Sequence, residues 1–310
     1  MSDPERYPLS QPMRLSELCA QMDASGTFVG EADPVLTSAA ALDRGDETSI
    51  SFCRFGGEVG RSRILASRAA VIVCSDAPAP VPGRVFIQVA DPRGWFIDAL
   101  HRLNPDDTEA SIDATARIGN AALLGDDIHV GAHAVIEAGA RIGSGCRIGA
   151  FAYISGASIL EAGVTVQAHV AIGTHGLSFH KRPDGSPLFF PHMGKAIVRE
   201  GAAIGTHTTI VRGILDNTEI GAGAQIGNHV NVGHNCAIGR EVFISSGTVL
   251  TGSVRIGDRT RLAAGVTVTA HCSIGQDAHV GLGSVVVKDI ADGKRVFGNP
   301  ARPLPTMREF

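Results

Sequence analysis

Aromatic residues are scarce in this sequence: phenylalanine, tyrosine and tryptophan together make 5% of 310 residues, with only two tyrosines and one tryptophan. That excludes a core built around large rings, so the 44% of hydrophobic residues must pack mainly through aliphatic side chains. Excess charge is missing too. Lys and Arg number 27 against 31 Asp and Glu, a net charge of −4, which argues against a nucleic-acid or anionic-membrane surface. The six cysteines (Cys19, Cys53, Cys74, Cys146, Cys236, Cys272) contain no CxxC pair. They read as small buried residues of a cytoplasmic protein rather than a disulfide framework or a zinc site. No apolar run reaches the roughly 18 residues of a membrane span, and Met1–Arg6 leads into no apolar signal segment. No P-loop, dinucleotide fingerprint or GxSxG elbow occurs. Neither a cofactor nor a bound metal is expected.

What is abundant is glycine, 38 residues, and a beat. From Ile112 an aliphatic residue recurs every sixth position without a miss to Ile172, through Ile118, Leu124, Val130, Ile136, Ile142, Ile148, Ile154, Leu160 and Val166. It returns at Val198, Ile204 and Ile210, slips by four residues across Val211–Glu219, then runs from Ile220 to Val286. A six-residue period fits neither a helix nor one long strand. It fits a solenoid of short strands and turns, in which the aliphatic residue points to the axis and the small residue after it lets the chain bend. Three hexads make a triangular coil, so residues 18 apart stack. The pattern resembles the hexapeptide-repeat, left-handed parallel β-helix; the handedness comes from that resemblance and not from the period.

Four segments follow. Residues 1–12 are polar, contain three prolines and read as a flexible leader. Residues 13–107 read as a small mixed α/β domain. It has a helix through Leu15, Leu18, Cys19 and Met22, strands around Ile50–Cys53, Ala69–Cys74 and Arg84–Val89, and a helix Trp95–Leu103 stopped by Pro105. Residues 108–297 are the helical prism, interrupted by an insertion at 174–196, and residues 298–310 are a short tail.

Most of the repeats are scaffold, so function is sought in the departures from them. These are the insertion, with His175 and Phe179, the slip, with Asp216, and histidines near the corners. His234 lies two residues after the inward Val232, with Asn228 and Asn235 nearby. One coil on, its counterpart is Gly252, and two coils on stands Ala270 with His271 beside it. The two histidines are therefore expected on one face about 10 Å apart, two strand spacings, with the glycine leaving an open pocket over His234. A histidine that titrates near neutrality can take a proton from an attacking amine or hydroxyl. In acyl transfer from a thioester, a backbone N–H beside Gly252 is placed to stabilise the oxyanion. The remaining histidines, among them His133, His169, His207 and His229, read as solvated surface residues.

The succession of Met13-Arg-Leu-Ser-Glu-Leu, Ile50-Ser-Phe, Thr208-Thr-Ile-Val-Arg-Gly-Ile-Leu-Asp-Asn-Thr-Glu-Ile-Gly, Asn228-His-Val-Asn-Val-Gly-His-Asn and Val268-Thr-Ala-His-Cys-Ser-Ile-Gly resembles the LpxD family, the UDP-3-O-acylglucosamine N-acyltransferases of lipid A synthesis. The resemblance spans about residues 13–305. It implies a homotrimer with sites between subunits, and transfer of a 3-hydroxyacyl group from acyl carrier protein to the amine of a UDP-linked amino sugar. It implies that His234 is the general base, His271 a second active-site histidine, and Phe52, in a uridine-binding domain, the ring that stacks on uracil. The chain departs from the family where Thr174-His-Gly-Leu-Ser-Phe replaces a D-G-F-G-[FY] stretch, where Val211 and Gly227 replace acidic residues, and in its short tail. Two alternatives stay open: an acyl-CoA or acetyl-CoA-dependent N-acyltransferase on another nucleotide amino sugar, and a non-catalytic β-helix that binds a metabolite.

Overall fold

The computed structural model describes residues 6–22, 26–104, 110–300 and 302–303. The chain divides into two compact units, Met1–Asp107 and Thr108–Phe310. The boundary expected near residue 108, the stop at Pro105, the first residues of the leader and most of the tail lie outside the described residues.

The first unit is a six-stranded sheet with three helices. In chain order it runs β1 (Arg6–Arg14), α1 (Leu15–Gln21), β2 (Thr27–Val29), β3 (Val35–Ala40), β4 (Ser49–Phe52), α2 (Gly57–Ala66), β5 (Val71–Cys74), β6 (Val85–Gln88) and α3 (Pro92–Leu103). The sheet order is β1-β3-β4-β5-β6-β2, with β3 to β6 parallel and both edge strands antiparallel. The central strand β5 is buried on both faces, as a parallel strand covered on each side requires. The leader reading of residues 1–12 fails from Arg6 onward. That stretch is edge strand β1, pairing with β3 through Arg6↔Ala40 and Arg14↔Val35 with a register break between Pro8 and Met13. The break falls in the proline-bearing stretch, since prolines are tolerated at edges and bulges. Helix α3 starts three residues before the expected Trp95: Asp91 caps it, its carboxylate accepting the Gly94 N–H at 3.0 Å, and Pro92 takes the first turn.

The second unit is a left-handed parallel β-helix of three faces. The first face begins at Ser111–Ile112, the second at Arg117–Ile118 and the third at Leu123–Leu124, and each strand pairs with the one a coil away (Val130↔Ile148, Ile136↔Ile154, Ile142↔Leu160). The inward aliphatic residues from Val130 to Val286 are buried and form one continuous core along the axis. Ile112 is 52% exposed because the first coil has another stacked on one side only. A second inward position, four residues after most of the aliphatic ones, holds a smaller side chain, with Ile128 and Ile290 as exceptions. Cys146, Cys236 and Cys272 occupy it, alternating with Ala, Val, Thr and Ser in other coils.

Two backbone requirements make the corners. A Cβ on Gly131 would meet the Ala150 N of the next coil at 2.7 Å, so the residue after the inward Val130 must be as small as glycine. Three residues after the inward one the backbone is left-handed, at φ +57° for His133 and +60° for Asn235. Glycine, asparagine and histidine tolerate this region best. At the first corner, which follows the first face, this column is a ladder of rings: His133, Phe151, His169, His207 and His229, with centroids 5.0, 4.9, 4.7 and 5.0 Å apart. These histidines are exposed but stacked rather than isolated, since one coil's rise is close to the spacing of stacked rings.

Candidate active site

Everything that breaks the hexad rule breaks it at the second corner, between the second and third faces. Five successive rungs of the second face carry it, through Ile172↔Ile210↔Val232↔Leu250↔Val268. After Ile172 the insertion leaves the prism and returns at Ala196–Val198, forming a short antiparallel hairpin, Phe179–Lys181 against Pro187–Phe189. After Ile210 the slip bulges out. After Val232 come His234 and Asn235, after Leu250 comes Gly252, and after Val268 comes His271.

The two irregular segments are tied to each other. The Arg212 guanidinium of the slip donates to the carbonyls of Gly194 (2.7 Å) and Met193 (3.2 Å) on the returning limb of the insertion. The Met193 N–H donates to Ile214 O at 2.6 Å, and the Lys195 N–H to the Asn217 side chain at 3.0 Å.

Both segments also reach His234. Asn235 Oδ1 accepts the Ile214 N–H at 3.1 Å and stands 3.0 Å from His234 Nδ1. Because an N–H already points at it, that atom is the amide oxygen, so the imidazole must carry its proton on Nδ1 and present a lone pair on Nε2. Asn235 is itself anchored by its N–H donating to Thr218 Oγ1 at 2.8 Å. From the insertion comes His192, whose ring meets that of His234 edge-on, with centroids 5.6 Å apart and planes at 70°. His175 meets His192 in the same way, 6.0 Å away and at 83°.

Gly252 does not leave an open pocket over His234, as expected from sequence. A Cβ there would stand 2.5 to 3.1 Å from Cε1, Nε2 and Nδ1 of the histidine, so the imidazole itself fills the space the glycine vacates. The Gly252 N–H has no hydrogen-bond partner among the described residues, and its carbonyl accepts the His271 N–H at 3.1 Å.

His271 is exposed two rungs beyond His234. With Asp216, Asn235, Ser253 and Arg255 it lines a cavity of about 540 Å3, which His234 does not line. Lys195, Arg212 and His175 share a second cavity of about 620 Å3 with Glu137 and Tyr153. Burial and the hydrogen bond to Glu137 push the Tyr153 phenol up to about 12, while bonds from Tyr153 and Gly156 hold Glu137 below the usual carboxylate range. Asn228 stands apart, exposed on the first corner, and this chain does not bring it to His234. Phe179 begins the hairpin of the insertion. Phe52 belongs to the first unit, its ring 5.0 Å from that of Phe96 in an apolar cavity of about 480 Å3.

Neither nearby thiol is activated. Burial pushes Cys236 up to about 11, and its Sγ–H donates to Thr251 O at 3.1 Å. Cys272 is raised for the same reason. Among the described residues no group of three His, Cys, Asp or Glu side chains could hold a metal ion. No helix among them is long and apolar enough to cross a membrane.

His192 is the residue that sequence reasoning passed over. It sits in the insertion, where the period is silent, and its only signal was being a histidine in an excursion.

Solved structures share the prism. The UDP-N-acetylglucosamine O-acyltransferase (LpxA) from Moraxella catarrhalis RH4 matches at a TM-score of 0.58 and 21% identity over 62% of this chain and 73% of its own. The UDP-N-acetylglucosamine acyltransferase of Francisella novicida matches at 0.58 and 21% over 63% and 70%. The chain is thus a hexapeptide-repeat β-helix protein. Residues 212–307 match the family described as the GMPPB C-terminal domain. The UDP-3-O-acylglucosamine N-acyltransferase of Aromatoleum aromaticum is 35% identical over 237 residues, 71% of this chain and 69% of the relative. That of Bradyrhizobium sp. (strain BTAi1) is 32% identical over 276 residues, 79% and 76%. The chain belongs to the UDP-3-O-acylglucosamine N-acyltransferase family and is an acyltransferase.

Proposed function

We propose that the protein moves an acyl group, of the 3-hydroxyacyl type, from a thioester to the amine of a UDP-linked amino sugar, with His234 as general base. The observation that carries this reading is the fixed tautomer of His234: Nδ1–H on Asn235 Oδ1, with Nε2 left as the base. The amine nitrogen attacks the thioester carbonyl while Nε2 takes its proton. The oxyanion that forms accepts the otherwise unused Gly252 N–H. When the tetrahedral intermediate collapses, the C–S bond breaks, and the leaving sulfur takes the proton from the imidazolium.

His271, Asp216 and Asn235 line the acceptor side, His175 and Phe179 belong to the insertion that covers it, and Phe52 in its apolar cavity stacks on the base of the nucleotide. Asn228 enters this reading through assembly. It lies on the first corner, so it meets a second-corner site when another copy presents that corner, as a homotrimer with shared sites does. Acyl carrier protein is the proposed donor, and the unpaired cysteines fit a cytoplasmic protein. The test is a His234→Ala protein assayed with an acyl-carrier-protein thioester and a UDP-amino sugar, beside an acyl-CoA arm. Undiminished turnover would remove His234 as the base, and preference for acyl-CoA would replace the donor. Light scattering at three times the 32.2 kDa chain mass would support the trimer.

A further inference from the structure

His192 is 1% exposed, yet nothing in the proposed reaction uses it. Its Nδ1 lies 3.1 Å from Phe190 O, and a carbonyl can only accept, so Nδ1 carries the proton. Its Nε2 is buried with no hydrogen-bond partner among the described residues. The ring is packed tightly. A Cβ on Gly176, on the outgoing limb of the insertion, would come within 2.9 Å of Nε2 and 3.0 Å of Val211 Cγ1. The insertion therefore closes around His192 from both limbs, with the slip behind it and His234 at its edge.

We propose that His192 is a positioning residue: it seats edge-on against His234 as a neutral imidazole and, with Asn235, holds that ring across Gly252. This rests on the reading of His234 as the base. Three features support it. A buried N–H needs a partner, and Nε2 has none to offer a proton to. The ionisable groups that face the ring are His175 from the outgoing limb, Arg212 from the slip and His234 from the corner, none of them an anion. Burial pushes the His192 imidazole below its ordinary value, against an opposing pull from Phe190 O, and the positive fields of those three groups add to the lowering. Protonation would put a cation in a dry site without a counter-charge, and the return limb would have to lift away from His234.

The experiment compares wild type, His192→Ala and His192→Gln with the acyl thioester and UDP-amino sugar, beside His234→Ala, from pH 5 to 9. Gln keeps a flat side chain and an N–H for Phe190 O but cannot titrate in this range. At pH 8, His192→Ala should lower kcat at least tenfold with KM changed less than threefold, and His192→Gln should recover part of that loss. On the acid side, log kcat should fall more steeply in wild type, where the His192 imidazole can also take a proton, than in His192→Gln. A role confined to folding would not move that slope. Wild-type kcat in His192→Ala, or an unchanged acid slope in His192→Gln, while His234→Ala is inactive, would overturn this proposal alone. Full turnover by His234→Ala would remove the base and this proposal with it.

Discussion

The imidazole of His234 lies over the bare Cα of Gly252, its counterpart one coil on. Gly252 is not among the residues with left-handed backbone, so an alanine there meets no strain of its own. The three atoms nearest to its Cβ all belong to the ring. Gly252→Ala should therefore fold as wild type, with a melting temperature within a few degrees, while kcat falls by roughly 10- to 100-fold as the base is displaced. Melting curves and initial rates on the same preparation check both halves.

Asn235 performs two tasks that substitutions can separate. Its backbone is left-handed at φ +60°, and its side chain joins the slip to His234. Asn235→Gly keeps the backbone and removes the amide; Asn235→Ala removes the amide and adds left-handed strain of about 1–2 kcal/mol. Both should lose kcat by a similar factor, and only the alanine variant should lose additional stability in urea unfolding.

Cys236 stands two residues from His234, buried, with its thiol pushed up to about 11. At pH 8 it is a neutral thiol in a closed corner. It should resist an aromatic disulfide reagent until the protein is unfolded. Cys236→Ala should keep turnover near wild type, since alanine fills the same inward position in other coils. Rapid labelling in the native state would contradict this.

His279 lies on the first face with Arg261 one rung before it and Arg295 one rung after. Burial, then these two guanidinium groups, push its imidazole below the ordinary 6.5. The unfolded chain binds the proton more readily, so this contribution is complete above about pH 6.5 and is lost as pH falls below it. Between pH 7 and 5.5 the melting temperature of wild type should fall more than that of His279→Gln. Parallel curves would show that the site is not coupled to folding.

The prism was legible because its physics is periodic. An inward aliphatic residue every six positions can be read from spacing alone, as can the rung relation of Val232, Leu250 and Val268. Helix α3 was legible from its apolar face, although Asp91-Pro92 marked its true start. Strand β1 was not. Polar, proline-bearing edge strands carry no alternation, and their pairing is set by a partner 20 or more residues away. At the site, His234 and Gly252 could be placed over one another by counting, but the count gave the spacing and not the rotamer, so a space filled by the imidazole was expected to be open. His192 could not be placed at all, because an excursion has no register to count from.

The candidate site draws on five rungs of one corner: the insertion, the slip, His234 with Asn235, Gly252 and His271 each come from a different coil. No single repeat contains it. A solenoid grows when a coil is copied in tandem, and a copy of the coil bearing His234 would add a histidine but neither the slip that orients its amide neighbour nor the limb that carries His192. Copying therefore lengthens the protein without multiplying its chemistry. Conversely, one coil excised well ahead of the insertion would shorten the prism and leave all five rungs in place. Catalytic capacity here is a property of neighbouring order, indifferent to how many coils precede it.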